Sequence, residues 1–233
     1  MRHGPRQPPC DISSAGTLLL WEGTYGVDAM DNAVGRNPRT MEQKAASPHR
    51  PPGTPPRVYL AGPDIFFRDS AAIYERLKAA CAQYGLQGVE PSDGGVHKGF
   101  EGSEAERARR IYEGNIALIR SADGLIANLA AFRGLEPDSG TVFEVGFAVA
   151  LGKPVVVYGV PEESYASRVC AVRDCAPDAD GVLRERGSGV MVEGLGQRLN
   201  LMVGCSTTIE ASAQAALARL AQRLGAAGSA CAH

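Results

Sequence analysis

The sequence predicts an α/β domain with a three-layer, Rossmann-like (flavodoxin-like) fold and a largely parallel sheet of about five strands. From residue 57 onward, short apolar runs alternate with segments whose apolar residues keep helical spacing. The short runs are continuously apolar, which is typical of parallel strands buried on both faces. Polar or glycine-rich residues follow several of these runs. Because open parallel sheets bind ligands at the carboxyl ends of their strands, these positions predict the functional site.

Each predicted element has its own sequence signal. Apolar runs predict strands at residues 57–62, 86–91, 124–130 and 154–159, and "GVMVEG" (189–194) predicts one further short strand. Helical spacing predicts helices over 70–85, 104–120, 141–151 and 206–225. Ser103 and Glu106 form a capping box before the second helix, and Gly85 is placed to end the first. Residues 160–189 have no regular pattern and predict an irregular segment.

Proline content divides the chain into parts. Nine of the fifteen prolines lie in residues 1–56, which lack sustained apolar periodicity, so we expect a mostly disordered leader there. We expect residues 57–225 to form one folded domain and residues 226–233 to form a flexible tail. A chain of 233 residues that is 44% apolar is large enough for one domain with a substantial core.

Charge and composition argue against several kinds of partner. The 24 basic and 26 acidic residues are mixed along the chain, so no basic patch for nucleic acid or an anionic membrane is evident. No apolar run approaches the roughly 18–20 residues that a membrane helix requires. The six cysteines are scattered without a C-x-x-C pair, which is typical of a reduced protein. We therefore expect a cytoplasmic protein that binds neither nucleic acid nor membrane.

The sequence carries no signal for a nucleotide cofactor or a metal. The glycine after the first strand stands in "AGPDIFF", which lacks the G-x-G-x-x-G fingerprint, and no P-loop motif is present. The four histidines are spread along the chain without the spacing of metal ligands. We expect the protein to work without a cofactor and without a metal.

Two acids in and beside an apolar helix are the first candidate functional residues. Glu144 stands among valines, phenylalanines and alanines in "DSGTVFEVGFAVALGKPVVVY" (138–158). If Ser139 caps the helix, the helix dipole favours an ionised Glu144 while burial opposes it. A charged, poorly hydrated carboxylate is a good nucleophile, although an acid paired with an arginine fits the pattern equally. Asp138 fits either an N-cap or the second carboxylate of glycosyl chemistry.

Residues at the end of the first strand are predicted to line the same crevice. The strand carries Tyr59 and is followed by Gly62 and Asp64. The carboxyl ends of parallel strands converge at one edge of the sheet, so we expect these residues to lie near a bound substrate.

A helix and a loop supply two further candidates. Asn115 shares the predicted inward stripe of the helix 104–120 with Ile111. It is either a satisfied core amide or a contact to a sugar. Phe132 lies in the loop after the third strand, where it fits either stacking on a base or a solvated loop.

With these residues in hand, the chain resembles the nucleoside 2-deoxyribosyltransferases over residues 57–224. The resemblance is carried by Tyr59, "AGPDIFF", "SADGLIANL" and "DSGTVFEVGFAVALGKPV". It implies that Glu144 attacks C1′ of a 2′-deoxynucleoside, expels the base and holds a covalent deoxyribosyl intermediate, which a second base then attacks. It also implies that Asp138 acts in base recognition and proton transfer, and that Tyr59 orients Glu144.

The resemblance extends to the family motif N-L-M, which is present here as "LNLM". It implies that Asn200 and Met202 reach a neighbouring subunit's site and bind the 5′ side of the sugar. The active unit is then a homo-oligomer that acts on small nucleosides and nucleobases in nucleotide salvage. One departure is Asn115, which stands where family members often have an aspartate for the sugar hydroxyl. An amide can bind that hydroxyl but cannot act as a base.

Two other functions fit the same residues. Water could replace the second base, which would make the protein a 2′-deoxynucleoside (5′-monophosphate) N-glycoside hydrolase; Asp64 in the first glycine loop argues against a phosphate there. Alternatively, the protein could be a non-catalytic nucleoside-sensing module, for which Asn115 and the proline-rich leader are mild reasons.

Overall fold

The computed structural model describes residues 53–91 and 100–226 of the chain. This part contains seven strands and six α-helices. The strands are β1 (Arg57–Ala61), β2 (Gln87–Val89), β3 (Gly124–Asn128), β4 (Val155–Tyr158), β5 (Cys175–Pro177), β6 (Leu183–Glu185) and β7 (Thr208–Ile209). The helices are α1 (Ser70–Gln83), α2 (Glu104–Ser121), α3 (Ser139–Ala150), α4 (Tyr165–Val172), α5 (Leu201–Gly204) and α6 (Ala213–Leu224), with a short 3-10 helix at Pro63–Phe66. The expected leader, apart from residues 53–56, and the expected tail, apart from residue 226, lie outside the described residues.

Five of the strands form one parallel sheet in the order β2-β1-β3-β4-β7. This confirms the predicted α/β fold with a parallel sheet of five strands. The order is that of flavodoxin-like sheets, in which the direction of winding reverses between β1 and β3. The crevice for a ligand is therefore expected beyond the carboxyl ends of β1 and β3.

Successive residues of the central strands point into two different cores. Val58 and Leu60 pack with apolar side chains of α1 and α6 on one face of the sheet. Tyr59, between them, packs on the other face with Ile119 of α2 and Val145 of α3. This alternation is the period-two geometry of a strand, and it gives the three layers of the domain. Both faces of the sheet are buried, as the continuously apolar runs predict.

The helix boundaries have local causes. Ser103 Oγ accepts from the backbone N–H of Glu106 at 3.3 Å, and the Glu106 carboxylate accepts from Ser103 N–H at 2.8 Å, so the predicted capping box of α2 is confirmed. Gly85 follows α1 with a φ of +67°, a conformation in which a residue with a side chain is strained. The predicted inward stripe of α2 is wrong at Ile111, which is 44% exposed.

The fifth strand of the sheet is not the predicted one. It is β7, which lies inside the stretch assigned to a helix beginning at residue 206. The helix α6 begins only at Ala213, because Ser212 Oγ accepts from Ala215 N–H and caps it there. The segment "GVMVEG" contributes a single bridge, from Met191 to Arg184, and lies outside the main sheet. β-Branched Thr208 and Ile209 favour a strand, but two residues are too few to give a periodic signal.

The segment after β4 contains more structure than its sequence predicts. Helix α4 and the antiparallel pair β5–β6 lie within residues 160–189, which were expected to be irregular. Ser164 Oγ caps α4 by accepting from Ser167 N–H at 3.1 Å. Strands of three residues carry too little periodicity to be recognised among the glycines and charged residues of this segment. Within the described part of the chain, no helix is both long and apolar enough to cross a membrane.

Candidate active site

A tyrosine of the sheet and a glutamate of the neighbouring helix meet at the centre of the candidate site. The hydroxyl of Tyr59 on β1 donates to Glu144 Oε1 on α3 at 2.6 Å. Tyr59 is fully buried, so its hydroxyl needs a partner inside the protein and has little freedom to move. Glu144 is half-buried and one of its oxygens is fixed by this bond. The arginine partner that the sequence left possible for Glu144 is not found among the hydrogen bonds and ion pairs of the described residues.

The protonation of Glu144 is set mainly by burial. Removal from water raises the pKa of Glu144 to about 7, against the hydrogen bond from Tyr59, which lowers it. The nearby carboxylate of Asp138 also raises the pKa. Burial therefore outweighs the hydrogen bond from Tyr59. The pKa of the Tyr59 hydroxyl is raised in turn, first by burial and then by the neighbouring charge of Glu144, so the tyrosine stays a donor.

Asp138 is the N-cap of α3, which is one of the two roles that the sequence left open for it, and Ser139 is the first residue of the helix. Its Oδ2 accepts from both the backbone N–H and the hydroxyl of Thr141, each at 2.9 Å. Gly140 leaves room for this carboxylate, since a Cβ there would lie 3.1 Å from Asp138 Oδ2. The cap fixes the direction of the Asp138 side chain. The capping hydrogen bonds use Oδ2 of Asp138. The Asp138 carboxylate lies close enough to Glu144 to raise the pKa of Glu144.

Asn115 is a polar group that the described chain leaves unsatisfied. It lies on α2, which packs against α3, and its Oδ1 is buried without a hydrogen-bond partner in the described residues. A buried acceptor without a donor costs about 1–3 kcal/mol. Within the described residues, Asn115 Oδ1 therefore lacks the partner that a satisfied core amide would have. An acceptor that lacks a partner is suited to binding a hydroxyl of a ligand.

Gly62 and Asp64 follow β1, and both are packed tightly. Asp64 is buried, and its two carboxyl oxygens accept from Asn128 Nδ2 at 3.3 and 3.2 Å. Burial raises the pKa of Asp64, while the bond from Asn128 lowers it. A Cβ at Gly62 would lie 2.5 Å from Asp64 Oδ2, so only glycine fits beside this carboxyl group. Asp64 thus faces the protein at the strand ends, with both oxygens already engaged.

Phe132 is half-buried and forms an aromatic stack with the exposed Phe66. Its ring stacks on Phe66 with 5.5 Å between centroids and 22° between planes. The guanidinium of Arg133 lies 4.7 Å from the centroid of Phe132 and 5.6 Å from that of Phe66. Arg133 has a φ of +54°, which is uncommon for a residue with a side chain. The loop therefore holds a strained backbone that keeps the cation against the two rings.

Asn200 and Met202 lie at the start of the short helix α5, which packs against α3. Asn200 Oδ1 accepts from Met202 N–H at 3.0 Å, and its Nδ2 donates to Glu193 at 3.1 Å. The other oxygen of Glu193 accepts from Leu201 N–H at 2.7 Å. Met202 is 73% exposed. The Asn200 side chain is thus fixed within its own chain, and Met202 points outward.

Three residues of this region were missed by sequence reasoning. Glu193 lies in a segment without periodicity, and Phe66 lies in a 3-10 helix too short to be recognised. Asn128 lies within the third predicted strand, yet it bonds to the loops around it. Its position at the carboxyl end of a central strand was the signal that could have identified it. In the described residues, no three histidine, cysteine, aspartate or glutamate side chains cluster in a way that could hold a metal.

Known sequences and structures are similar to this chain over more than half of its length. The sequence model of the nucleoside 2-deoxyribosyltransferase family matches residues 58–202. The uncharacterized protein C191.05c of Schizosaccharomyces pombe is 31% identical over 208 residues, which cover 79% of this chain and 98% of that protein. The solved structure of 2-desoxiribosyltransferase from Leishmania mexicana is 30% identical, with a TM-score of 0.57, and the match covers 72% of this chain and 98% of that one.

Proposed function

Because this chain belongs to the nucleoside 2-deoxyribosyltransferase family, we propose that it transfers a 2-deoxyribosyl group between nucleobases by double displacement. The observation that carries the proposal is the bond of 2.6 Å between the Tyr59 hydroxyl and Glu144 Oε1. A carboxylate held by one oxygen beside a sheet edge can present its other oxygen to an electrophilic carbon. The substrates are small nucleosides and nucleobases, and the reaction uses only side chains of the protein.

The first half of the reaction forms a covalent intermediate. Ionised Glu144 attacks C1′ through the oxygen that Tyr59 does not hold. The N-glycosidic bond breaks, and its electron pair leaves with the base, which takes up a proton. In the second half, a nitrogen of another base attacks C1′ and the ester to Glu144 breaks, which regenerates the carboxylate. Burial favours this chemistry because a nucleophile with few water molecules around it is more reactive.

Asp138 handles the proton of the departing and arriving bases in this proposal. The N-cap bonds to Thr141 use Asp138 Oδ2 and leave Oδ1 for a base nitrogen. The capping bonds would then orient the acid–base group as well as begin the helix. A positioned acid or base of this kind contributes about 10²–10⁴-fold to the rate.

The remaining candidates bind the substrate. Asn115 Oδ1 accepts from a sugar hydroxyl, which would supply the partner it lacks. The Phe66–Phe132 stack forms one wall for the base. Gly62 and Asp64 shape the strand-end loop beside it, Gly62 by leaving room and Asp64 by fixing Asn128.

The active unit is a homo-oligomer in this proposal. Met202 is exposed, and it contacts the sugar's 5′ side in a neighbouring subunit together with Asn200. Several apolar side chains of α2 and α3 are exposed as well, among them Tyr112 and Phe143. A subunit interface over these side chains would remove them from water. The Glu193 bonds to Asn200 and Leu201 would keep the contributed segment in one conformation.

Incubation of the protein with 2′-deoxyinosine and adenine tests the activity. Liquid chromatography should detect new 2′-deoxyadenosine together with hypoxanthine. Release of hypoxanthine alone would show that water, rather than a base, takes the sugar. Unchanged substrates with saturable nucleoside binding would favour a sensing module. The matched control is Glu144→Gln, which keeps the size of the side chain and should lose turnover.

A trapping experiment tests the intermediate. A 2-fluoro-2-deoxyribosyl nucleoside should leave an adduct of the mass of the fluorinated sugar, and peptide mass spectrometry should locate it on Glu144. An adduct on another residue, or a turnover-competent Glu144→Gln variant, would contradict the proposed mechanism.

A further inference from the structure

One asparagine connects two of the loops at the carboxyl edge of the sheet. Asn128 is the last residue of β3. Its Nδ2 donates to both carboxyl oxygens of Asp64 in the loop after β1, and its Oδ1 accepts from Ala130 N–H at 3.2 Å at the start of the loop after β3. The donor and acceptor ends of one side chain thus join two loops that are far apart in sequence.

Glycines on two sides make room for this asparagine. At Gly159, after β4, a Cβ would lie 2.4 Å from Asn128 Oδ1, and φ there is +75°. At Gly62, after β1, a Cβ would lie 3.0 Å from Asn128 Cβ. Real Cβ atoms hardly ever come so close, so the loops after β1 and β4 close on Asn128 as tightly as glycine permits. The side chain therefore has one conformation available to it.

The two loops bonded to Asn128 also carry the aromatic stack. Asp64 belongs to the same 3-10 helix as Phe66, and Ala130 lies two residues before Phe132. The stack has an exposed ring, since Phe66 is 58% exposed, so its own packing cannot fix it firmly. The relative position of the two rings therefore depends on the anchoring of their loops beneath them.

We propose that Asn128 is a positioning residue that holds the Phe66–Phe132 pair in place as a wall of the nucleobase pocket. The proposal rests on the proposed function, because it assigns the base to that wall. Asn128 shares no hydrogen bond with Tyr59 or Glu144 in the described chain. Its loss should therefore weaken substrate binding while leaving the chemical step nearly unchanged.

The variant Asn128→Asp tests this with almost no change in shape. It keeps an acceptor for Ala130 N–H but replaces the donor to Asp64 with a second carboxyl group. The carboxyl groups of residues 64 and 128 would repel each other if both were ionised. At lower pH one of them is protonated, and its proton forms a hydrogen bond between the two side chains again. At pH 8 we expect KM for 2′-deoxyinosine to rise about tenfold, as for loss of one buried hydrogen bond, with kcat within about twofold of wild type. The ratio of variant to wild-type KM should fall toward one as the pH is lowered to about 5.5.

The double exchange Asp64→Asn with Asn128→Asp is the matched control. It reverses the direction of the bond while keeping both partners and the acceptor for Ala130, so KM should return to within about threefold of wild type. An unchanged KM in Asn128→Asp would overturn the proposal. So would a loss of kcat that follows a lower midpoint of thermal unfolding, since that would indicate support of the fold alone.

Calorimetry of 2′-deoxyinosine on the Glu144→Gln background separates this proposal from the proposed function. If wild type turns over no deoxynucleoside, the proposed function fails, but about tenfold weaker binding on adding Asn128→Asp still supports the positioning role. Equal affinities with and without Asn128→Asp, or no binding to either protein, would overturn it.

Discussion

In the proposed mechanism, the charge of Glu144 decides when the site can react. Its folded-state pKa lies near 7 because burial opposes ionisation more strongly than the Tyr59 bond favours it. Only the ionised form can attack a carbon, so at neutral pH roughly half of the free protein holds a competent nucleophile. Substrate that removes more water from the site would raise this pKa again, and the bond from Tyr59 opposes that rise.

We expect kcat/KM for 2′-deoxyinosine to depend on this ionisation. It should rise about tenfold per pH unit below pH 7 and level off above it, because the free enzyme's essential base then becomes fully ionised. Steady-state rates between pH 5 and 9 measure this. A profile that is flat across pH 7 would contradict the assignment of Glu144 as a base that must lose its proton.

The same ionisation predicts a change in stability. The folded-state pKa of Glu144 is raised above its ordinary value of 4.5, so the stabilisation is complete below pH 4.5 and is lost as the pH rises through about 7. Glu144→Gln cannot ionise and should escape this loss. We expect the free energy of unfolding of the variant to gain roughly 3 kcal/mol on wild type between pH 4 and 8 in urea titrations. A constant difference between the two proteins would show that the Glu144 pKa is not raised by folding.

Removal of the Tyr59 hydroxyl tests the other half of the pair. In Tyr59→Phe, Glu144 loses the bond that lowers its pKa, so the acid limb of the pH profile should move to higher pH. Activity should fall more at pH 6 than at pH 9, which paired rate measurements would detect. The same fractional loss at both values would mean that the hydroxyl acts in some way other than through the charge of Glu144.

At the scale of the element, the N-terminal part of α3 carries both acids of the candidate site, Asp138 and Glu144. Asp138 caps the helix and Glu144 lies a turn and a half further along, so the start of one helix sets their separation. The cap and the proposed proton transfer use the same side chain. A substitution that keeps one role and removes the other can separate them.

Asp138→Asn and Asp138→Ala form such a pair. Asparagine is as good an N-cap as aspartate, so Asp138→Asn should unfold within about 0.5 kcal/mol of wild type, while Asp138→Ala should lose about 1 kcal/mol. Both should lose most of their transfer activity, because neither can carry the proton. Urea unfolding and chromatographic assays check the two effects. Full activity in Asp138→Asn would limit Asp138 to capping.

The elements that could be predicted from the sequence are those with long or chemically distinct signals. The capping box at Ser103 fixes the start of α2, and the four apolar runs give β1 to β4. β7 was missed because it is two residues long and lies beside a strongly periodic helix. Its place in the sheet comes from backbone bonds to Val157 and its neighbours, which no local pattern encodes.

The candidate site shows the same division. Glu144 could be found because an acid in an apolar stripe is a local anomaly, and Tyr59 because it stands on a buried strand. The resemblance to a family added the expectation that Tyr59 orients Glu144, and in the structure the Tyr59 hydroxyl donates to Glu144 Oε1 at 2.6 Å. Asn128 and Glu193 could not be assigned, since their importance lies in contacts to residues distant in sequence. Asp64 was expected to lie near a bound substrate, but its bonds to Asn128 could not be predicted from the sequence.

At the scale of the whole molecule, the exposed apolar side chains of α2 and α3 need an explanation. Phe143 is 52% exposed and Tyr112 is 55% exposed, and their rings lie 6.4 Å apart. Phe143 also stacks on Phe147 at 6.3 Å. Such a patch beside the candidate site is suited to a subunit interface, in agreement with the proposed homo-oligomer.

A charge placed in this patch should break the oligomer. We expect wild type to sediment as a dimer or larger species and Phe143→Glu to sediment as a monomer, because a carboxylate would be buried without a partner. Activity should fall with the loss of the neighbour's Asn200 and Met202. Arg109→Gln, at an exposed position of the same helix layer, serves as a control and should keep the wild-type sedimentation coefficient. A Phe143→Glu protein of unchanged size would place the interface elsewhere.

The distribution of one core along the chain has a consequence for synthesis. Val58 and Leu60 of β1 share their core with Leu217 and Leu220 of α6. The ribosome therefore releases β1 and α1 long before α6, the second helix on this face of the sheet, exists. Until α6 emerges, the part of this face that α6 covers stays exposed to water and to other nascent chains. The nascent chain should accordingly depend most on chaperones between the emergence of β4 and that of α6. Premature termination in this interval should leave the product most prone to aggregation.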